Sequence, residues 1–269
     1  MMLQSSRLSL QAVLEAANAE ISRGDAREIG TGELAIVAVL AENVTLRKAL
    51  ADSSESAEKK QHLLRTLFST RTSETVLRLS ELAVSHRWAR TQDLVTSLEV
   101  AGVTAIAAAS QASGQLGQVE EEVFRFARLC ESEHELARAL ESDASASAKR
   151  ALIADLLAGK AQADTITLIE QAVLFPRGLR VATALDQYSD ILAARQQRSV
   201  ADVTVAKPLS EAQTQKLTAA LSASYGRDLV LNVQVDPAVV GGVRVQVGDE
   251  MMSSTVADRL AEVQRKLAS

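Results

Sequence analysis

The 269-residue chain is poor in cysteine, proline and aromatic side chains. Its single cysteine, Cys130, forms no internal disulfide, which excludes a disulfide scaffold and points to a reducing compartment. The three prolines are Pro176, Pro208 and Pro237, so nothing in the first two thirds interrupts long helices. Aromatics make up 3% and the net charge is -5, which leaves little for base stacking or broad phosphate binding and argues against a nucleic-acid partner. The longest apolar runs, residues 35–41 and 103–109, fall short of the ~18–20 residues of a membrane span. The first twenty residues carry Arg7 and a Leu-rich stretch, but Glu15 and Glu20 break a targeting pattern and no cleavage-like site follows. The expectation is a soluble, untargeted chain.

What remains is an ordinary globular balance, 47% hydrophobic and 23% charged, at a length that suggests about two domains. Leu10, Val13, Leu14, Ala17 and Ile21 make one apolar helical stripe. Gly24, Gly30 and Gly32 read as a break between that helix and a second over 33–43. Further helices are expected over 46–51, 57–68, 75–85 and 91–109, with Asp52 or Ser53 as the cap of the fourth. Six short helices, each apolar on one stripe, need one another and make a bundle.

Residues 110–118, with Gly114 and Gly117, form a boundary, and the pattern then returns. At a spacing of 90, Leu46, Ala49 and Leu50 meet Leu136, Ala139 and Leu140. At 89, Lys60, Leu63, Leu64, Leu67 and Phe68 meet Lys149, Leu152, Ile153, Leu156 and Leu157. At 90 again, Glu74, Thr75 and Val76 meet Asp164, Thr165 and Ile166, and Arg87 and Arg90 meet Arg177 and Arg180. Register held across three helices with one gap reads as duplication. Period two then takes over in Val203 and Val205, in Leu229, Leu231, Val233 and Val235, and in Val243, Val245 and Val247, which predicts strands. Between the first two, Ser210 and Gln213 form a capping box for a helix. Gly248 and Asp249 suit a hairpin turn into a strand over 250–252, and Val256, Leu260, Val263 and Leu267 stripe a last helix. The expected architecture is mainly α with a small α+β C-terminal domain. It divides into a six-helix bundle over 1–110, a partially repeated helical block over 111–198 and a small α/β domain over 199–269.

No constellation for chemistry assembles. His62, His86 and His134 stand alone, without a second metal ligand one turn away. Cys130 lies one turn from His134 but on the apolar face Val119, Val123, Phe126, Cys130, so it reads as core. Residues 30–35 fit the loose pattern G-x-G-x-x-A, yet no strand feeds the turn, as a pyrophosphate site requires. Glu120, Glu121 and Glu122 suit a helix start and solvation. These readings leave no catalytic residue, no cofactor, no metal and no small-molecule substrate, and point to a protein that works by contact.

The most specific stretch is Val235-Asp236-Pro237, then Val240-Gly241-Gly242-Val243-Arg244-Val245-Gln246-Val247-Gly248-Asp249, then Thr255-Val256 and Arg259-Leu260. It resembles the C-terminal signature of the delta subunit of F-type ATP synthase, the bacterial counterpart of the oligomycin-sensitivity-conferring protein. Residues 201–210, the Ala148-Lys149-Arg150 helix and the Pro176-Arg177-Gly178 turn are similar to other parts of that family. The likeness covers about residues 119–267 directly and the first 110 through the repeat. Ser253-Ser254-Thr255 stands where the family has an Asp-Gly-Ser run, and the extra helical sequence resembles the long actinobacterial form.

The resemblance implies a non-catalytic stator subunit that caps the catalytic head. It would bind the N-terminal helices of the alpha subunits through helices and hold the b subunits of the peripheral stalk through its C-terminal domain. Its place would be the cytoplasmic face of a bacterial cell membrane, held through partners without direct insertion. Asp236, Pro237, Gly241, Gly242, Gly248, Asp249, Arg259 and Leu260 carry the signature, with turn or packing roles expected ahead of stalk contact. The alternatives are a stand-alone adaptor for amphipathic helices, which has no reason to carry the signature, and a small enzyme using residues 30–35 or Cys130.

Overall fold

A computed structural model describes residues 2–198, 200–225, 229–236, 243–247 and 250–253. It divides into two compact units, Met1–Ala193 and Ala194–Ser269. The first is all helical: α1 Gln4–Ile21, α2 Ala26–Glu42, α3 Val44–Ala51, α4 Ala57–Phe68, α5 Glu74–Ser85, α6 Thr91–Ala112, α7 Leu116–Ser132, α8 His134–Glu141, α9 Ala146–Leu157, α10 Ala163–Leu174 and α11 Val181–Arg198.

Most helix ends fall where the pattern places them, and two readings are corrected. Gly30 and Gly32 do not break the chain; they lie inside α2, which starts at Ala26 because the Asp25 carboxylate accepts from the N–H groups of Arg27 and Glu28. The glycines serve a helix crossing. A Cβ at Gly30 would lie 2.8 Å from the Ile106 side chain and 3.0 Å from the Gly102 carbonyl, and one at Gly32 2.7 Å from Val76. Sequence alone cannot separate a glycine that ends a helix from one that lets two helices touch. The cap of α4 is Ser56, whose hydroxyl accepts from the Lys59 N–H, while Asp52 turns the loop by accepting from Ser54.

The repeat extends beyond the three helices read in the sequence. The helices α2, α3 and α6 return 90 residues later as α7, α8 and α11, and α4 and α5 return 89 later as α9 and α10. The missing residue is lost in the loop before α9 and regained before α11. Moreover, α1 displaced by 90 falls inside α6. Val13 and Ala17 of α1 are buried in one hydrophobic core, and their counterparts Val103 and Ala107 of α6 are buried in a second. From its other face α6 gives Leu94, Leu98, Ala101 and Ala105 to the first core. One helix therefore closes the first block and opens the second. That double duty explains its composition: α6 is long and apolar enough to cross a membrane, but 83% of its most apolar window is buried inside the unit.

The second unit holds β1 Val200–Val205, α12 Glu211–Tyr225, β2 Val230–Val235, β3 Val243–Val247 and β4 Glu250–Ser253. The sheet order is β2-β1-β3-β4, with β1 parallel to β2 across α12 and the other pairs antiparallel. Alternation puts Ala201, Val203, Val205, Val245 and Val247 into a core with Leu221 and Leu229, and leaves Asp202, Asn232, Arg244 and Gln246 exposed. The capping box forms as read: Gln213 Oε1 accepts from the Ser210 N–H at 2.9 Å, and Ser210 Oγ from the Gln213 N–H at 3.3 Å. The turn at 248–249 and the last helix lie outside the described residues, though Val247 pairs with Glu250 as a hairpin requires.

Candidate functional site

The residues suspected of chemistry are placed where chemistry is disfavoured. Gly30 and Gly32 are within a helix, and Gly30 is pressed against α6. Their N–H groups belong to the helix ladder and cannot cradle a phosphate. Cys130 is buried in the second core, and burial, with Glu141 nearby, pushes its thiol up to about 11, the reverse of an activated nucleophile. His62 and His134 are exposed and His86 half-buried. Among the described residues no group of three His, Cys, Asp or Glu side chains could hold a metal ion.

Of the signature residues, Asp236 is described. It sits exposed just after β2, and its N–H donates to the Val205 carbonyl at 2.9 Å, extending the parallel ladder by one residue. Pro237, Gly241, Gly242, Gly248, Asp249, Arg259 and Leu260 lie outside the described residues.

The buried polar groups the sequence reading missed tie helices together. Glu99 of α6 is fully buried and ion-paired with Arg177, which sits at φ 55 in the turn before α11. Glu99 also accepts from the Tyr188 hydroxyl at 2.5 Å and from the Gln171 side-chain amide at 3.3 Å. Burial raises the Glu99 carboxyl above its ordinary range and Arg177 opposes that shift; Tyr188 is raised by burial and by the Glu99 charge. The signal was available: Glu99 is the one charged residue between Asp93 and Ala112. In the first block the counterparts of this pair, Ser9 and Arg87, also meet, the Ser9 hydroxyl donating to the Arg87 carbonyl at 2.8 Å. Glu33 of α2 is buried too, with the Ser80 hydroxyl at 3.1 Å, and burial pushes its carboxyl up to about 8.

The second block has a groove between α6 and α10, and α2 lies along it. Arg27 pairs with Asp164 of α10 at 2.7 Å, and the Ser110 hydroxyl donates to the same carboxylate at 2.7 Å. Gly30 meets Gly102 and Ile106, while Leu34 contacts Gly102 and belongs to the second core. A cleft of about 260 Å³ remains beside α2, lined by Thr31, Leu34, Ala38, Thr167, Leu174 and Phe175 among others. The buried polar groups of the helical unit thus serve as ties between its helices.

Comparison with known proteins matches residues 103–267 to the family described as "ATP synthase delta (OSCP) subunit". The ATP synthase subunit delta of Thermobifida fusca is 39% identical over 264 residues, covering 98% of each chain. That of Streptomyces griseus is 43% identical over 245 residues, covering 91% of this chain and 90% of its own. A chain of the Toxoplasma gondii mitochondrial ATP synthase hexamer aligns over 62% of this chain and 95% of that one, at 21% identity and a TM-score of 0.32 that supports nothing further.

Proposed function

The chain belongs to the ATP synthase delta (OSCP) subunit family, and from that premise we propose which of its parts meet which partners. It is a non-catalytic stator subunit of ATP synthase, associated with the membrane-bound complex. Torque on the central rotor would otherwise spin the catalytic head, so a static link must hold head and peripheral stalk together. In our reading the helical unit takes N-terminal helices of the alpha subunits, the sheet unit takes the b subunits, and the protein works on the cytoplasmic face. The functional blocks are 1–110, 111–198 and 199–269, with α6 completing the first and seeding the second. In the same reading the signature residues Asp236, Pro237, Gly241, Gly242, Gly248, Asp249, Arg259 and Leu260 take turn or packing roles in the stalk-facing unit.

The observation that supports this division is the pair of helical cores built on one shared helix. Both are tied by buried polar contacts and present amphipathic faces of the kind that receive a partner helix without a reacting group. The test is binding of the intact purified chain to a delta-depleted ATP synthase head and, separately, to the soluble part of the b subunits. One-to-one binding to each is expected, with charge reversal at the sheet residues Arg244 and Asp202 weakening only the b arm. A folded chain that binds neither would overturn the assignment and leave the stand-alone helical adaptor.

A further inference from the structure

The repeat supplies an internal control for α2. Within its own block α7 does the same work as α2, since the two match at a spacing of 90 and bury the same stripe. Ile29, Val37 and Leu40 of α2 enter the first core, and their counterparts Val119, Ala127 and Cys130 of α7 enter the second. The opposite faces of the two helices differ. There α2 carries Arg27, Gly30 and Leu34, the last two buried, whereas α7 carries Gly117, Glu120 and Phe124, none of them buried. A helix at this place in the bundle therefore packs its own core without an arginine, a glycine and a leucine at those positions. Their reason lies in the other block. Arg27 spans both oxygens of Asp164, Nη1 at 2.7 Å and Nη2 at 2.9 Å. The Ser110 hydroxyl donates to the same carboxylate, so one acid that is 3% exposed ties α2, α6 and α10 together. One turn along, Gly30 and Gly102 let the two backbones approach: a Cβ at Gly102 would lie 3.2 Å from the Gly30 carbonyl and 2.9 Å from the Leu34 side chain. Leu34 itself belongs to the second core.

We infer that α2 is a clamp between the two helical blocks, in which Arg27, Gly30 and Leu34 seat a helix of the first core against α6 and α10 of the second, so that the blocks open together. The shared helix α6 by itself would let one core melt along its own stretch while the other stands. The clamp removes that freedom. Opening the first block withdraws Leu34 from the second core and takes the cation from Asp164, leaving a buried carboxylate with the Ser110 hydroxyl in place of an ion pair. Opening the second block removes the same contacts from the other side. The bidentate geometry fixes orientation as well as distance, which holds α2 in one register along the groove.

Native-state hydrogen exchange on the intact chain tests this, read at the amides of Leu64 and Leu77 in the first block and of Leu140 and Ile153 in the second, all deep in their cores. In the wild-type chain added denaturant is expected to merge these amides into one opening with one rate. Asp164→Asn keeps the shape of the side chain and removes its charge. It is expected to separate the two sets, one block exchanging about ten-fold or more faster than the other. Gly30→Ala places a methyl group against Ile106 and the Gly102 carbonyl and should separate them in the same way, and it decides the matter where the Asp164 variant does not fold. Arg177→Met is the control: it weakens the second core at Glu99, away from the clamp, and should speed both sets equally. One shared rate in the clamp variants would overturn the proposal and leave α6 as the coupling element. Separate openings in the wild-type chain would overturn it as well.

Discussion

The two helical blocks close the same junction by opposite means. Where α2 passes the start of α5, Gly32 lets Val76 and Thr72 come close, and Ser73 caps α5 from its own chain. Ninety residues later the position of Gly32 is Glu122, and the helix start it faces has no cap of its own. Instead Glu122 accepts from the Gln162 N–H at 2.8 Å and from the Thr165 hydroxyl at 2.5 Å, capping α10 from a neighbouring helix. A similar exchange occurs at the Ser9–Arg87 and Glu99–Arg177 positions, where a neutral contact is replaced by a buried ion pair. A duplicated frame keeps helix lengths and positions. The chemistry at each crossing is free to diverge, provided that close approach or hydrogen bonding satisfies the groups buried there.

That contrast can be broken most severely at Arg177. Arg177→Met leaves the Glu99 carboxylate buried without its cation, and a loss of about 3–5 kcal/mol in denaturant unfolding is expected. Its exposed counterpart should tolerate Arg87→Met within about 0.5 kcal/mol. Equal losses at both sites would show that the buried pair is not what distinguishes the second block.

Next comes Glu33, whose counterpart is the apolar Val123. With a folded value of about 8 against 4.5 for the free side chain, the folded state holds its proton over a range where the unfolded chain has lost it. Stability from this group is therefore full below about pH 4.5 and declines as pH rises towards 8, by about 4 kcal/mol. Glu33→Gln should flatten the unfolding profile across that window and stabilise the chain at pH 8. An unchanged profile would mean that Glu33 is charged in the fold.

The glycine crossing gives a smaller effect. Gly30→Leu forces a side chain into Ile106 and the Gly102 carbonyl, at a cost of about 2–3 kcal/mol, whereas Glu120→Leu at the matching position of α7 should change stability by less than about 0.5 kcal/mol. Thermal scans of the two variants side by side decide this. Smallest of all, Ser56→Ala and Ser145→Ala remove matching caps of α4 and α9 and should each cost about 1 kcal/mol. A marked inequality between them would indicate that the blocks carry unequal shares of the stability.

Much of this fold was legible because its helices are amphipathic and punctuated by loops. The helix over 57–68 and the strands around Val203, Val233 and Val245 follow from periodicity alone. The repeat was readable through Leu50 and Leu140 or Leu64 and Ile153, which occupy matching buried positions in the two cores. It was invisible at Gly32 and Glu122, or at Leu98 and Tyr188, where side-chain type had diverged while the helix stayed. The run 120–122 read as a solvated helix start, yet Glu122 works at a tertiary junction. The glycines of α2 were misplaced because their reasons lie far along the chain, in Gly102 and Ile106 of α6 for Gly30 and in Val76 of α5 for Gly32.

The shared helix also bears on how load passes through the protein. Two domains joined by a linker can swing, because a loop absorbs rotation through a few soft dihedrals. Here the joint between blocks is α6 itself, 22 residues and about 33 Å of continuous helix with both cores packed around it. Bending one block against the other would require breaking helix hydrogen bonds and opening a hydrophobic core in the same motion. The helical unit therefore behaves as a single stiff strut, with no hinge between its halves to store or leak the twist that the rotor delivers.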